Sequence, residues 1–293
     1  MPVSRTRPAW TAALFLAVAA VTAGQVGAPT AALAVTGRQG AAGQTGPVVR
    51  LAVGSGEGSR SCTGVLVDQS WIATAASCFA DRPGSALPAG RPALKGTATL
   101  GTGQSIEIAE LVPRTDRDLV LARLATSVTG VATVKRATAA PAPGADVTAV
   151  GFGRTGGEWV PDKAHTAALG LDGATATTFA ISGKTGAALC KGDTGGPLLN
   201  AAGELIGINS RSWQGGCLGS PAAETRTGAV SARVDDLNGW VRDTVRPDVP
   251  HDLNGDGRSD VVMAYYHGDS KIGFYTSVAN ESGGFGDFTV GYT

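Results

Sequence analysis

The nine residues Cys190–Leu198 (C-K-G-D-T-G-G-P-L) constrain this chain more than any other stretch. Five of the nine positions are glycine, proline or cysteine, which excludes an ordinary helix or a central strand. Glycine adopts backbone angles that other residues avoid, so three glycines around one carboxylate and one hydroxyl favour a rigid turn. The sequence therefore predicts a loop that points backbone N–H groups at a site beside Asp193 and Thr194.

The rest of the chain alternates between short apolar runs and glycine-rich turns. Of its 293 residues, 43% are hydrophobic, which is enough for a sizeable core. The chain also contains 43 glycines, which disfavour long helices. Runs such as Val48–Val53, Ile106–Leu111 and Leu205–Asn209 predict an antiparallel sandwich or barrel. One helix is predicted near Val234–Val241, where apolar residues follow helical spacing.

Residues 1–34 are typical of a secretory signal peptide. Arg5 and Arg7 precede a short apolar core, and Ala32-Leu33-Ala34 is the best cleavage site. A signal anchor is the alternative. We expect a secreted protein, whose four cysteines would form two disulfides with three possible connectivities.

The charge distribution excludes some partners. The chain has 24 basic and 24 acidic residues without a long run of either sign, so it lacks the basic footprint of a nucleic-acid-binding protein. We expect a monomer that binds no nucleic acid and, after signal removal, no membrane.

Four stretches resemble the chymotrypsin/trypsin-like (S1) serine protease family. Cys190–Leu198 is similar to its G-D-S-G-G-P loop, 71–78 to its T-A-A-H-C segment, 116–124 to its D-I-A-L-L strand and 149–153 to its G-W-G strand end. The resemblance implies an all-β fold over residues 35–244, with two six-stranded antiparallel barrels and a C-terminal helix. It also implies two disulfides, Cys62–Cys78 and Cys190–Cys217.

The resemblance places Ser77, Asp118 and Thr194 where the family carries its catalytic histidine, aspartate and serine. A hydroxyl is a weak nucleophile until a base takes its proton, and Ser77 lacks the basicity of imidazole. The remaining histidines are not expected to replace that base; His165 is assigned to a loop, 156–169, at the rim of the cleft. Thr194 adds a methyl group that stiffens the side chain.

Other family positions refine the expected site. The loop residues Gly192, Asp193 and Thr194 would form the oxyanion site through backbone N–H groups. The specificity pocket would involve Ala188 and Ser210, and Ala188 offers no charge for a basic substrate side chain. Asp193 would pair with the amine of Val35 if signal removal frees that residue; the alternative is that Asp193 bonds locally.

These residues lead to three hypotheses of function. The first is a non-proteolytic module that binds a peptide or protein in a substrate-like groove. The second is an active secreted serine endopeptidase with an altered triad. The third is a scaffold for the C-terminal unit.

The C-terminal segment carries a separate motif. After a linker at 245–251, the loop of residues 252–260 resembles the D-x-N-x-D-G-x-x-D loop of FG-GAP/VCBS repeats, which binds Ca²⁺. The implied site comprises Asp252, Asn254, Asp256, Arg258 and Asp260. A turn without metal is the alternative. Residues 252–293 would form a small blade-like β unit, which either belongs to a longer repeat array or packs on the protease-like domain.

Overall fold

The computed structural model describes residues 45–82, 84–245, 251, 253, 258–268, 271–280 and 284–292, together with Met1 and Val3. Apart from Met1 and Val3, the predicted signal peptide lies outside the described residues, as does most of the predicted linker. Asp252, Asn254 and Asp256 of the predicted calcium loop also lie outside them. Within the described residues, no helix has the length and apolarity needed to cross a membrane.

The first six strands close into an antiparallel barrel in the order β1-β2-β3-β6-β5-β4. Their bounds are β1 Val48–Val53, β2 Arg60–Asp68, β3 Trp71–Thr74, β4 Gly96–Leu100, β5 Ser105–Pro113 and β6 Val120–Leu124. In β5, buried Ile106 and Ile108 alternate with exposed Ser105 and Glu107, the period of two of a strand with one face in the core. A bulge after Ile108 then shifts the register so that Leu111 is buried.

The next six strands close a second barrel in the order β10-β11-β12-β9-β8-β7. Their bounds are β7 Asp146–Gly151, β8 His165–Ala174, β9 Thr178–Gly183, β10 Pro197–Leu199, β11 Leu205–Ser212 and β12 Ala229–Arg233. The two closed barrels confirm the predicted fold. The loop predicted at 156–169 is wrong at its end, because pairing of β8 with β7 begins at His165 despite the weak strand propensity of the segment.

A helix, α1 (Asn238–Val245), follows the second barrel and begins later than predicted. Residues 234–237 form a turn instead. The Arg233 guanidinium holds the Asp235 carboxylate at 2.7 Å, and the Asn238 side chain donates to the Ala137 carbonyl at 2.7 Å. These contacts fix the chain before the helix starts, so that Leu237 and Val241 still reach the apolar core.

A three-stranded antiparallel sheet follows, in the order β13-β14-β15. Its strands are β13 Val261–Gly268, β14 Lys271–Ser277 and β15 Thr289–Tyr292. Many of its described apolar side chains are exposed, in contrast to the buried cores of the two barrels. The sheet agrees with the small β unit predicted for this segment.

Candidate functional site

The structure brings Ser77, Asp118 and Thr194 together from distant parts of the sequence. Ser77 lies in a 3-10 turn (Ala76–Cys78) after β3, Asp118 precedes β6, and Thr194 lies in the loop before β10. All three line one groove of about 1240 Å³, together with Gly192 and Ser210. The site is thus assembled from loops that two rigid barrels hold in place.

Asp118 is fully engaged by neutral donors. Its Oδ1 accepts the Ser77 backbone N–H at 2.7 Å, and its Oδ2 accepts the Ser77 hydroxyl at 2.9 Å. The Ser210 hydroxyl also donates to Oδ2, at 2.6 Å. The carboxylate therefore orients a serine hydroxyl where the family has an imidazole.

The Thr194 hydroxyl is not directed at a base. It donates to the Ser210 backbone carbonyl at 3.3 Å. Among the described residues that line the groove, none is a histidine. His165 lies on β8 with Nε2 3.8 Å from a Glu158 carboxylate oxygen, and it is not part of the groove lining.

The turn from 192 to 196 has the rigid, glycine-dependent shape that its sequence predicts. Gly192 and Gly195 have φ values of 102° and 86°, in the left-handed region that favours glycine. The Gly192 carbonyl accepts the buried Thr63 hydroxyl at 2.8 Å, which ties the loop to the first barrel. The backbone N–H groups of Gly192 and Thr194 donate to no described residue, so they remain available to a ligand oxygen. The Asp193 N–H, the third predicted donor, instead donates to the Cys190 carbonyl at 3.0 Å.

Asp193 is fully buried directly behind this turn. Its carboxylate accepts the Gly153 N–H at 2.7 Å and the Cys190 N–H at 2.8 Å, and no described cation pairs with it. Burial raises the pKa of Asp193 to about 7, against the smaller opposing effect of the two N–H donors. Val35, the predicted source of an amine partner, lies outside the described residues.

This burial predicts a pH-dependent stability. In the unfolded chain Asp193 ionises near pH 4, whereas in the folded chain its pKa is about 7, so the folded state holds one more proton between these values. The contribution of Asp193 should therefore be most favourable below about pH 4 and be lost as the pH rises through about 7. Chemical denaturation from pH 4 to 8 should show this slope, and Asp193→Asn should remove it.

The slope is the readout for this test, because an asparagine side chain at this position would also lose one of the two oxygens that accept N–H groups. A stability difference between wild type and Asp193→Asn that rises with pH over the same window would contradict the raised pKa of Asp193. In that case the carboxyl would not be the neutralised, buried group described above.

The structure forms both disulfides, Cys62–Cys78 and Cys190–Cys217. Of the two residues predicted for the specificity pocket, Ser210 lines the groove and Ala188 does not. Ala188 is fully buried and packs against the Cys190–Cys217 disulfide. The Ser212 hydroxyl donates to the Leu189 carbonyl at 2.6 Å and joins the two segments that flank this disulfide. The two segments are therefore joined by a hydrogen bond as well as by the disulfide.

Basic residues around the groove were not anticipated from the sequence. Arg114 and Arg117 bracket Asp116, and Arg117 also bonds Asp236 at 2.8 Å. The Arg114 hydrogen bond, followed by the bonds from Arg117, holds the pKa of Asp116 well below its usual value. In the sequence, Lys191 is a basic residue close to Thr194. A single lysine does not predict a basic groove, because the other cations come close to it only in the folded chain.

The calcium loop stays a prediction. Among the described residues, no group of three acidic, histidine or cysteine side chains is arranged to hold a metal. Asp260 is buried, and its two oxygens accept the backbone N–H groups of Leu253 at 2.7 Å and Ala279 at 2.9 Å. These contacts alone explain a folded turn, so they do not favour a metal over the alternative.

Comparison with known proteins agrees with this geometry. A family model described as Trypsin matches residues 34–241. The chain is 33% identical to trypsin alpha-3 of Lucilia cuprina in an alignment of 141 residues that covers 42% of this chain and 81% of that protein. It is 28% identical to putative trypsin-6 of Homo sapiens in an alignment of 219 residues that covers 64% of this chain and 81% of that protein.

Two solved structures share the fold. Neuropsin, a serine protease expressed in the limbic system of mouse brain, aligns with a TM-score of 0.55 at 23% identity, over 71% of this chain and 98% of its own. The scabies mite inactivated protease paralogue S-I1 aligns with a TM-score of 0.55 at 19% identity, over 72% and 99%. With the family match over most of its length and its two closed barrels, this chain belongs to the trypsin family of serine protease-like proteins.

Proposed function

We propose that this chain is a secreted trypsin-fold protein that binds a peptide or protein segment in its groove without hydrolysing it. One observation carries the proposal. Ser77 occupies the position of the general base, and its hydroxyl donates to Asp118 at 2.9 Å. A serine hydroxyl does not accept a proton near neutral pH, so the site lacks the group that would activate a nucleophile.

The nucleophile position supports the same conclusion. The Thr194 hydroxyl donates to the Ser210 carbonyl, which cannot take its proton. The Asp118 carboxylate already accepts three hydrogen bonds and is joined to Ser77 and Ser210 instead of Thr194. No described contact therefore links the threonine to a base, and attack on a peptide carbonyl lacks its first proton transfer.

The features needed for binding are retained. The free N–H groups of Gly192 and Thr194 can hold a carbonyl oxygen, because this part of an oxyanion site is made by the backbone. Trp159 and Val160 at the rim are 56% and 69% exposed and offer apolar contact area.

Two further points favour the proposal. The fold is compatible with a lack of proteolysis, since it also occurs in the scabies mite inactivated protease paralogue. The two disulfides suit an oxidising, extracellular compartment.

The proposal is tested by incubating the purified protein with a fluorophosphonate probe and a broad set of fluorogenic peptides. We expect no probe adduct, and hydrolysis equal to that of a Thr194→Ala variant, which removes the only hydroxyl at the nucleophile position. A covalent adduct on Thr194, or turnover that Thr194→Ala abolishes, would instead identify an endopeptidase with an altered triad.

A further inference from the structure

We infer that the groove is selective for an extended peptide segment that carries acidic side chains. This inference rests on the proposed function, since it names the chemistry of the ligand that the groove would hold. Six cationic side chains line the groove and only two carboxylates do, although the whole chain has a net charge of zero. The cations are Arg60, Arg114, Arg117, Arg154, Lys191 and Arg211.

The two carboxylates are already engaged by the protein. Asp116 pairs with Arg114 and Arg117, at 2.9 and 3.0 Å. Asp118 accepts hydrogen bonds from Ser77 and Ser210. Arg117 also pairs with Asp236, which does not line the groove, so Asp116 and Asp236 together balance Arg114 and Arg117. The other four cations are not paired with any described carboxylate.

The unpaired cations differ in how freely they can reach a ligand. Arg60 is held by the carbonyls of Cys78, Ala80 and Asp81, so it contributes charge but few donors. Lys191 and Arg211 are exposed and hydrogen-bond to no described residue through their side chains. Such side chains retain their full hydrogen-bonding capacity for an anionic partner.

These cations lie beside the oxyanion site. Lys191 directly precedes Gly192, and its carbonyl accepts the Arg154 N–H at 2.9 Å, which brings that residue to the same end of the groove. Arg211 follows Ser210, whose carbonyl bonds the Thr194 hydroxyl. A ligand whose carbonyl reaches the free N–H groups would therefore carry its neighbouring side chains past Lys191, Arg154 and Arg211.

The lining favours a peptide over another polyanion such as a sulfated glycan. Arg154 stacks on the Trp159 ring, with its guanidinium carbon 4.6 Å from the ring centroid, and Trp159 remains 56% exposed. This aromatic surface, with Val160 next to it, suits apolar side chains that alternate with acidic ones along an extended chain. Two free backbone N–H groups additionally match a peptide carbonyl.

The test measures fluorescence anisotropy of a labelled peptide of alternating glutamate and alanine on the full chain. Analogues with glutamine or lysine in place of glutamate serve as matched ligands. We expect the glutamate peptide to bind at least about tenfold more tightly than the glutamine peptide, and the preference to fall between about 20 mM and about 300 mM salt. Lys191→Gln with Arg211→Gln should weaken binding of the glutamate peptide by about tenfold.

A matched control keeps the change in net charge but leaves the groove intact. Lys95→Gln with Arg242→Gln also removes two cations, each paired with a carboxylate outside the groove, and should leave affinity within about twofold. Equal binding of glutamate and glutamine peptides, or tighter binding of a heparin fragment that depends on Lys191 and Arg211, would overturn the inference while leaving non-proteolytic binding in place. Cleavage of the peptide, read by mass spectrometry in the same samples, would instead overturn the proposed function.

Discussion

The double variant Ser77→His, Thr194→Ser should hydrolyse peptide substrates at least about 10³-fold faster than the unchanged chain. The reason is that the two substitutions restore a base that titrates near neutral pH and a less hindered nucleophile. Initial rates with fluorogenic peptides, together with labelling of position 194 by a fluorophosphonate, would measure the effect.

The remaining parts of the site favour this outcome. Asp118 already accepts the residue 77 backbone N–H at 2.7 Å, and the Ser210 hydroxyl fixes its other oxygen at 2.6 Å. The carboxylate is thus oriented towards whatever side chain occupies position 77. The free N–H groups of Gly192 and Thr194 complete the stabilisation of an oxyanion.

Single variants and one additional substitution serve as controls. Ser77→His or Thr194→Ser alone should stay near background, because residues of a triad act as a unit and their effects are not additive. Asp118→Asn in the double variant should remove most of the gained rate, up to roughly 10⁴-fold. A double variant with no gain over Ser77→His alone would show that the loss of catalysis is not confined to these two side chains.

The second large effect concerns stability. Gly195→Ala should lower the free energy of unfolding by roughly 4 kcal/mol and the melting temperature by roughly 10 °C. Gly195 has a φ of 86°, and an added Cβ would lie 2.1 Å from the Thr74 hydroxyl oxygen and 2.2 Å from the Thr63 carbonyl oxygen. To relieve these two contacts, the loop before β10 would have to move away from the first barrel.

Gly203→Ala is a matched control, because Gly203 also has a positive φ, 77°, but has no atom within 4 Å of an added Cβ. It should cost only about 1 kcal/mol, the strain of a left-handed alanine. Thermal and denaturant unfolding of both variants would compare them. Equal losses would show that the contact of Gly195 with Thr63 and Thr74 does not determine the packing of this loop.

The sequence predicted the local elements where their signal is short-range. The predicted strand Val48–Val53 has the bounds that the structure gives, because most of its residues are apolar and turns lie on both sides of it. The strand His165–Ala174 was missed, since its glycines and polar residues resemble a loop and its pairing with β7 and β9 is a tertiary event. The predicted helix begins too early, because side-chain bonds of the polar residues Arg233 and Asn238, which the apolar spacing does not take into account, fix the preceding turn.

The sequence by itself determined which chemistry is available at the site, because the residue types at positions 77, 118 and 194 are covalent facts that folding cannot change. It likewise determined the glycine-dependent turn around Thr194, since few other residues adopt its backbone angles. Only the tertiary structure decided what those side chains contact: the Ser77 hydroxyl on Asp118, the Thr194 hydroxyl on the Ser210 carbonyl and Asp193 buried behind the turn. The tertiary structure also decided the cationic lining of the groove. Arg154, Lys191 and Arg211 are dispersed in sequence, and they line one groove only when the loops that hold Arg154 and Lys191 meet strand β11, which holds Arg211.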